Sequence, residues 1–154
     1  MPAARAGYAA LRGLIPEAVD GLGALGRASH HPDLDAGLLE LVDIRASQMN
    51  GCAYCLQLHA NRAQRHGVAA GKLTQVAVWR ESGLFSDRER TALELAEALT
   101  RLDPAHGLAE PLYAAARQEF GEAALAALVA KILVINAWNR LMVAYRIAPP
   151  EAEA

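Results

Sequence analysis

The chain has 154 residues, the size of one domain, and we expect a single domain over residues 1–154. Hydrophobic residues make up 53% of the sequence, yet no uncharged run approaches the ~20 residues that a membrane span needs, so we expect no membrane partner. The formal net charge is −2 and no dense basic run occurs, which argues against a nucleic-acid partner.

The N-terminus has an early arginine but lacks the continuous apolar stretch of a secretory signal, so the expected compartment is the cytoplasm. Further along, apolar residues recur with the 3.6-residue period of a helix and never alternate as in a strand, which predicts an all-α fold. The SDRE sequence at residues 86–89 predicts a capping box. The predicted helices span residues 4–12, 16–28, 34–49, 52–66, 70–81, 87–102, 109–119 and 121–146.

The third predicted helix carries a glutamate, Glu40, between pairs of apolar residues. Burial in apolar surroundings disfavours the charged form of a carboxyl group. We therefore expect Glu40 to have a raised pKa and to be able to pass protons. The alternative is a solvated glutamate on the polar face of its helix.

The segment NGCAYCLQLH, residues 50–59, contains the only two cysteines of the chain. Its Asn-Gly pair predicts a turn that places Cys52 in the first turn of the next helix and folds that helix back beside the helix of Glu40. At 100° per residue, Cys52, Cys55 and His59 fall within about 60° of one another on the helix surface. Residues i and i+3 lie ~5–6 Å apart, inside the ~4.4–6.8 Å range of disulfide Cα separations, so a reversible dithiol is geometrically easy.

Two effects compete over which sulfur is the nucleophile. The helix N-terminus favours a thiolate at Cys52, and this effect fades within one turn. His59 favours Cys55, because it lies four residues from Cys55 (~6 Å along the axis) but seven from Cys52 (~10 Å). A neighbouring base is the usual activator of a thiol, so we predict Cys55 as the activated thiol and Cys52 as its partner. Thioredoxin-like sites use the opposite order.

The last predicted helix is apolar around most of its circumference, which is typical of a helix central to a core or a subunit interface. Asn136, Asn139 and Arg140 share one of its faces. We expect them to form a structural hydrogen-bond network, and the alternative is a role in substrate binding. The acidic tail that follows, PPEAEA, is expected to fray.

Glu40, Cys52, Cys55 and His59 together reproduce the spacing E-x11-C-x2-C-x3-H. This pattern resembles the signature of the AhpD-like alkylhydroperoxidases of the carboxymuconolactone decarboxylase superfamily. The similarity extends to the blocks ELVDIRASQMNGCAYC, VAVWRESGLFSDRERTALELAEALT and INAWNRLMVAYR, and covers about residues 20–147.

The resemblance implies an AhpD-like helical bundle that assembles into homotrimers or homohexamers. It implies a peroxidase in which Cys55 attacks the peroxide, Cys52 resolves the sulfenic acid, and Glu40 with His59 relays protons. One departure is Tyr54, which stands where some members carry a second histidine. We expect Tyr54 to pack against the site; the alternative is that its hydroxyl donates a hydrogen bond.

Three other functions compete with this interpretation. A zinc site could combine Cys52, Cys55 and His59 with Glu40 or His66, although three ligands within seven or eight residues of one helix make a strained arrangement. The decarboxylase branch shares the fold but generally lacks the CxxC. A non-catalytic redox sensor or scaffold would use the same helices with inert or merely oxidisable thiols.

The sequence thus predicts an oligomeric peroxidase or disulfide reductase that needs no cofactor and no metal. Its expected partners are a hydroperoxide and an external dithiol of the dihydrolipoamide or thioredoxin type. The peroxide oxidises Cys55 to a sulfenic acid, Cys52 displaces water to form the disulfide, and the dithiol restores both thiols.

Overall fold

The computed structural model describes residue 3 and residues 5–153. In this part of the chain the regular structure is helical, apart from one isolated bridge between Asp103 and Gly107 in a loop. The described helices are α1 (Tyr8–Leu14), α2 (Pro16–Ala28), α3 (Ala36–Asn50), α4 (Ala53–Arg65), α5 (Ala70–Gln75), α6 (Asp87–Thr100), α7 (Glu110–Phe120) and α8 (Glu122–Tyr145), with a 3-10 turn at Val76–Val78. The predicted all-α fold is confirmed.

Two predicted helix boundaries are wrong by more than two residues. The first helix begins at Tyr8 and not at residue 4, which lies outside the described residues, because Gly7 is extended and forms the N-cap. The fifth ends at Gln75, where the backbone tightens into the 3-10 turn. The predicted capping box is present: the Ser86 hydroxyl accepts from the Glu89 N–H, and the Glu89 carboxylate accepts from the Ser86 N–H.

Helix α3 is the most enclosed element of the fold, and it packs against α4, α6 and α8. It begins where the Asp35 carboxylate accepts the Leu38 N–H at 3.0 Å. It ends at Gly51, whose φ of 67° lies in the left-handed region that favours glycine. Because this turn is short, α4 folds back directly beside α3, as the Asn-Gly pair predicts.

The polar face of α8 forms the structural network that the sequence predicts. Asn139 is fully buried and donates to the Ser47 hydroxyl at 3.0 Å. The Asn50 amide of α3 donates to the side-chain oxygens of Asn136 and Asn139 at 3.0 and 2.9 Å. Asn136 in turn donates to Thr100 of α6. These bonds fix the end of α3, just before the cysteine turn, against α8.

Helix α8 also leaves apolar side chains uncovered in the described chain. Val129 and Leu133, one turn apart, are 36% and 57% exposed. Among the described residues α8 alone has the length and hydropathy of a membrane span, but the core helix of a water-soluble protein meets the same criteria. An exposed apolar stripe of this kind is typical of a protein–protein contact.

The expectation that the C-terminal tail frays is wrong for its described residues. The Asn61 amide donates to the Glu151 carbonyl at 2.8 Å, and the Asn61 carbonyl oxygen accepts the Glu153 N–H at 3.2 Å. Arg65 forms an ion pair with the Glu153 carboxylate at 2.9 Å. The tail therefore lies along α4, because residues about 90 positions earlier offer it hydrogen-bond partners.

Candidate active site

Cys52 and Cys55 form a disulfide at the start of α4, with their Cα atoms 5.4 Å apart. Cys52 is the N-cap of the helix, one position before the first turn in which the sequence places it, and its sulfur accepts the Cys55 N–H at 3.2 Å. Both residues are only 2% exposed. The two thiols are therefore placed to form a disulfide and are shielded from bulk solvent.

His59 lies one turn after Cys55 on α4 and contacts the helix that carries Glu40. Its Nδ1 is 2.6 Å from Glu40 Oε2, and both residues are buried. An ionised carboxylate can only accept a hydrogen bond, so the hydrogen lies on Nδ1. This arrangement orients the ring and leaves Nε2 to accept a proton. The structure thus brings Glu40, Cys52, Cys55 and His59 together.

Two further charged residues, missed by the sequence analysis, complete the cluster. Asp43 is fully buried on α3, one turn after Glu40, and its Oδ2 lies 3.1 Å from His59 Nδ1. Lys131 of α8 places its ammonium 2.7 Å from the same oxygen. These contacts are ion pairs by distance, and neither Asp43 oxygen has a hydrogen bond of normal geometry. The lysine is the cation that balances this buried carboxylate.

Replacing Lys131 by methionine is expected to destabilise the fold, because it leaves the Asp43 charge buried with only His59 beside it. Removing one partner of a buried ion pair costs about 3–5 kcal/mol. The free energy of unfolding, measured by urea denaturation, tests this value. The double variant Lys131→Met/Asp43→Leu is the matched control and should recover much of the loss. Equal stability of the single variant and the unaltered protein would contradict the prediction.

The pKa of Glu40 is lowered, contrary to the expectation from its apolar neighbours in sequence. Burial is the largest influence and raises the pKa, but the hydrogen bond from His59 and the positive charges of His59, Lys131 and Arg62 together outweigh it. Glu40 is therefore a carboxylate near neutral pH. It is suited to stabilising a proton on His59, and it does not itself store one.

The arrangement of possible metal ligands differs from the set considered for zinc. Glu40, Asp43 and His59 offer ligand atoms within 4.8 Å of one another. The Lys131 ammonium already contacts Asp43 there, however, and would repel a divalent cation. The two sulfurs are bonded to each other, and His66 stands at the opposite end of α4 as its C-cap. The donor set fits a carboxylate–imidazole–ammonium network better than a zinc site.

A cavity of about 400 Å³ adjoins this network and is called the His59 cavity below. Cys55, His59, Asp43 and Lys131 line it, whereas Cys52 does not. Apolar side chains form most of its remaining wall, and Arg27, His30 and Arg62 are exposed residues that line it as well. Its other lining residues include Leu22, Leu58, Val134, Ile135, Trp138 and Met142. A small organic molecule entering the cavity would lie beside Cys55 and His59.

Tyr54 packs beside the cysteines, as expected. Its ring stacks on that of Tyr8, with centroids 6.2 Å apart and planes inclined by 12°. Burial and the nearby Tyr8 raise its pKa, and the charge of Arg62 opposes this rise only in part. Tyr54 is therefore a neutral phenol at physiological pH that supplies packing where some relatives carry a titratable histidine.

The sequence comparison agrees with the motif. Residues 16–98, more than half of the chain, match the carboxymuconolactone decarboxylase family. The chain belongs to this family. The chain is also 38% identical over 105 residues to the uncharacterized protein YdfG of Bacillus subtilis, covering 68% of this chain and 71% of the relative.

Solved structures identify this family member as AhpD-like. A protein of unknown function from Agrobacterium tumefaciens, ATU0492, provisionally assigned as the antioxidant defence protein AhpD, superposes with a TM-score of 0.87 at 27% identity, over 97% of this chain and 99% of that one. A peroxidase-related protein from Ralstonia eutropha with an AhpD core gives 0.79 at 20% identity, over 91% and 74%. The debrominase Bmp8 gives 0.75 at 24% identity, over 90% and 74%. The last two show the shared fold alone.

Proposed function

We propose that this carboxymuconolactone decarboxylase family member reduces hydroperoxides through the Cys52–Cys55 dithiol. The observation that carries the proposal is that Cys55 and His59 line one cavity, with Glu40 bound to His59 and Cys52 within bonding distance of Cys55. The cavity, at about 400 Å³, has room for an organic hydroperoxide beside Cys55. The AhpD-like relatives favour the same chemistry, and the decarboxylase branch generally lacks the two thiols.

In the first half of the cycle, His59 removes the proton from Cys55 and the thiolate attacks the terminal peroxide oxygen. The O–O bond breaks, Cys55 becomes a sulfenic acid, and the leaving alkoxide takes the proton to become an alcohol. Glu40 stabilises the positive charge that His59 carries between these transfers. Lys131, through Asp43, helps to keep the buried network close to neutral.

In the second half, the Cys52 thiol attacks the sulfenic acid, the disulfide forms, and one water leaves. An external dithiol then supplies two electrons and two protons and restores both thiols. The dithiol can be of the dihydrolipoamide or thioredoxin type, and the same step alone would make the protein a disulfide reductase. A cycle that depends on external thiols fits the reducing cytoplasm, which the proposal assigns as the compartment.

Peroxide consumption with a panel of dithiols tests the proposal. The purified protein is mixed with tert-butyl hydroperoxide and with dihydrolipoamide, thioredoxin or no reductant. The expected result is many equivalents of peroxide consumed per chain with at least one reductant. Consumption that stops at one equivalent with every reductant would instead identify a redox sensor. A zinc content near one per chain, with fewer than two titratable thiols after reduction, would indicate a metal site.

The exposed stripe on α8 leads us to propose a homo-oligomer, and the family resemblance suggests a trimer or a hexamer. Replacing Leu133, which is 57% exposed, by glutamate should lower the mass measured by light scattering while the helical content stays unchanged. Val78→Glu is the matched control, because Val78 is equally exposed but lies on the 3-10 turn. A monomeric mass for the unaltered protein at micromolar concentration would refute the oligomer.

A further inference from the structure

The two cysteines of the disulfide line different cavities. Cys55 lines the His59 cavity, whereas Cys52 lines a second cavity of about 210 Å³, called the Cys52 cavity below. Tyr54 and Met142 line both cavities and so form the wall between them. The remaining lining residues of the Cys52 cavity are Gly51, Ala53, Val143, Arg146, Ile147 and Pro149.

We propose that the reducing thiol enters through the Cys52 cavity and attacks the Sγ of Cys52. The peroxide and the reductant then reach the dithiol from separate entrances. This inference rests on the proposed function for the oxidising half of the cycle, but the attack itself requires only the disulfide and a thiol.

The direction of approach supports attack at Cys52. In thiol–disulfide exchange the incoming thiolate attacks one sulfur of the disulfide in line with the S–S bond. It therefore approaches from the side opposite the sulfur that leaves. Cys52 lines the Cys52 cavity and Cys55 does not, so a thiolate there would approach the disulfide from the Cys52 side, as attack on Cys52 requires. Cys52 is only 2% exposed, so that cavity is its route of access.

The leaving group supports the same assignment. The disulfide bond breaks faster when the departing sulfur is the better-stabilised thiolate. Cys55 departs on the side of His59, which can return a proton to it. The N-cap position of Cys52 favours a thiolate on Cys52 instead. Among the described residues, however, the exposed Arg146 is the one cationic side chain that lines the Cys52 cavity.

The walls of the Cys52 cavity suit a small alkyl thiol. They are mostly apolar, and Ile147 and Pro149 come from the segment that follows α8. That segment is held in place downstream, where Asn61 and Arg65 bind Glu151 and Glu153. The C-terminal segment therefore forms one side of the entrance.

The exchange is balanced in atoms and electrons. The first thiolate of the dithiol bonds to Cys52, the Cys52–Cys55 bond breaks, and Cys55 leaves as a thiolate that takes a proton. The second thiolate of the reductant then attacks the first sulfur of the reductant, which is bonded to Cys52 in the mixed disulfide. The reductant becomes a cyclic disulfide, and Cys52 leaves as a thiolate and is protonated.

Mapping the mixed disulfide tests the assignment on the unaltered protein. The oxidised chain is exposed briefly to 2-mercaptoethanol, which cannot cyclise, then quenched with acid and alkylated. Peptide mass spectrometry is expected to find mercaptoethanol on Cys52 and the alkyl group on Cys55. The reverse pattern would overturn the proposal.

Filling each cavity separately gives an independent test. Val143→Trp narrows the Cys52 cavity and should slow reduction of the disulfide by dithiothreitol by at least about tenfold, because access limits the exchange. Oxidation of the reduced pair by tert-butyl hydroperoxide should change less than twofold. Leu22→Trp is the matched control in the His59 cavity. It should slow oxidation by tert-butyl hydroperoxide and leave the rate of reduction by dithiothreitol nearly unchanged.

The results separate this inference from the proposed function. If the disulfide of the Val143→Trp protein is reduced as fast as that of the unaltered protein, with its mass and helical content preserved, the reductant does not enter through the Cys52 cavity and the proposal fails. If the reduced chain does not consume peroxide at all, the proposed function fails, while the mapping still decides which sulfur a thiol attacks. Should Val143→Trp not fold, the mapping experiment decides alone.

Discussion

Replacing Cys55 by serine is expected to reduce peroxide turnover to the uncatalysed background, because no thiolate remains in the His59 cavity. Replacing Cys52 by serine should still permit one oxidation, which leaves a sulfenic acid on Cys55 that dimedone traps. The reason is the asymmetry of the site: Cys55 shares a cavity with His59, and Cys52 lines the other cavity. Dimedone labelling followed by peptide mass spectrometry measures both outcomes.

The N-terminus of α4 favours the opposite assignment, in which Cys52 is the thiol that attacks the peroxide. Cys52 accepts the Cys55 N–H at 3.2 Å, a contact that stabilises a thiolate on Cys52. If that influence dominates, dimedone will label Cys52 in the Cys55→Ser protein and nothing in the Cys52→Ser protein, which is the thioredoxin-like order. The double serine variant is the control, and it should neither consume peroxide nor bind dimedone.

The helices of this fold were predictable because their signals are local. Apolar residues at the helical period, a capping box at Ser86 and a glycine in the left-handed region at Gly51 each act within a few residues. The geometry of Cys52, Cys55 and His59 was predictable for the same reason, since all three lie on one helix or its cap.

The long-range parts of the site were less accessible to sequence reasoning. Glu40 reaches His59 across two helices; the Asn-Gly turn predicted that these helices are neighbours, and the family spacing indicated the contact itself. The direction of its pKa shift was predicted wrongly, because neighbours in sequence are apolar while the partners that decide the shift come from α4 and α8. The C-terminal tail was misjudged for a similar reason, since its partners lie on α4.

Asp43 and Lys131 left signals that could have been used. Asp43 follows Glu40 by three residues and so shares its helix face. Lys131 interrupts the otherwise apolar sequence AALVAKILVI of α8, where a lone cation needs a buried partner. Reading each as an unexplained charge in an apolar context predicts a pair, but not which two elements supply it.

Replacing Glu40 by glutamine is expected to keep the helical fold and slow the first oxidation of Cys55 by about 10²–10⁴-fold, the range of general acid–base catalysis. Glutamine can still accept a hydrogen bond from His59 Nδ1, but it does not stabilise the positive charge that His59 gains. Stopped-flow oxidation by tert-butyl hydroperoxide measures the rate. Glu81→Gln, at an exposed position, is the control and should leave the rate unchanged.

The pH dependence of the unfolding free energy distinguishes a Glu40 carboxylate that is paired with His59 from one that is solvated. Because the pKa of Glu40 in the folded protein lies below its ordinary value of 4.5, its ionised form stabilises the fold above that value. This contribution is lost as the pH falls through the lower folded-state pKa. The unfolding free energies of the unaltered protein and of Glu40→Gln should therefore differ most near neutral pH and converge below about pH 4.5. A difference that stays constant with pH, together with an unchanged oxidation rate, would return Glu40 to the role of an ordinary helix residue.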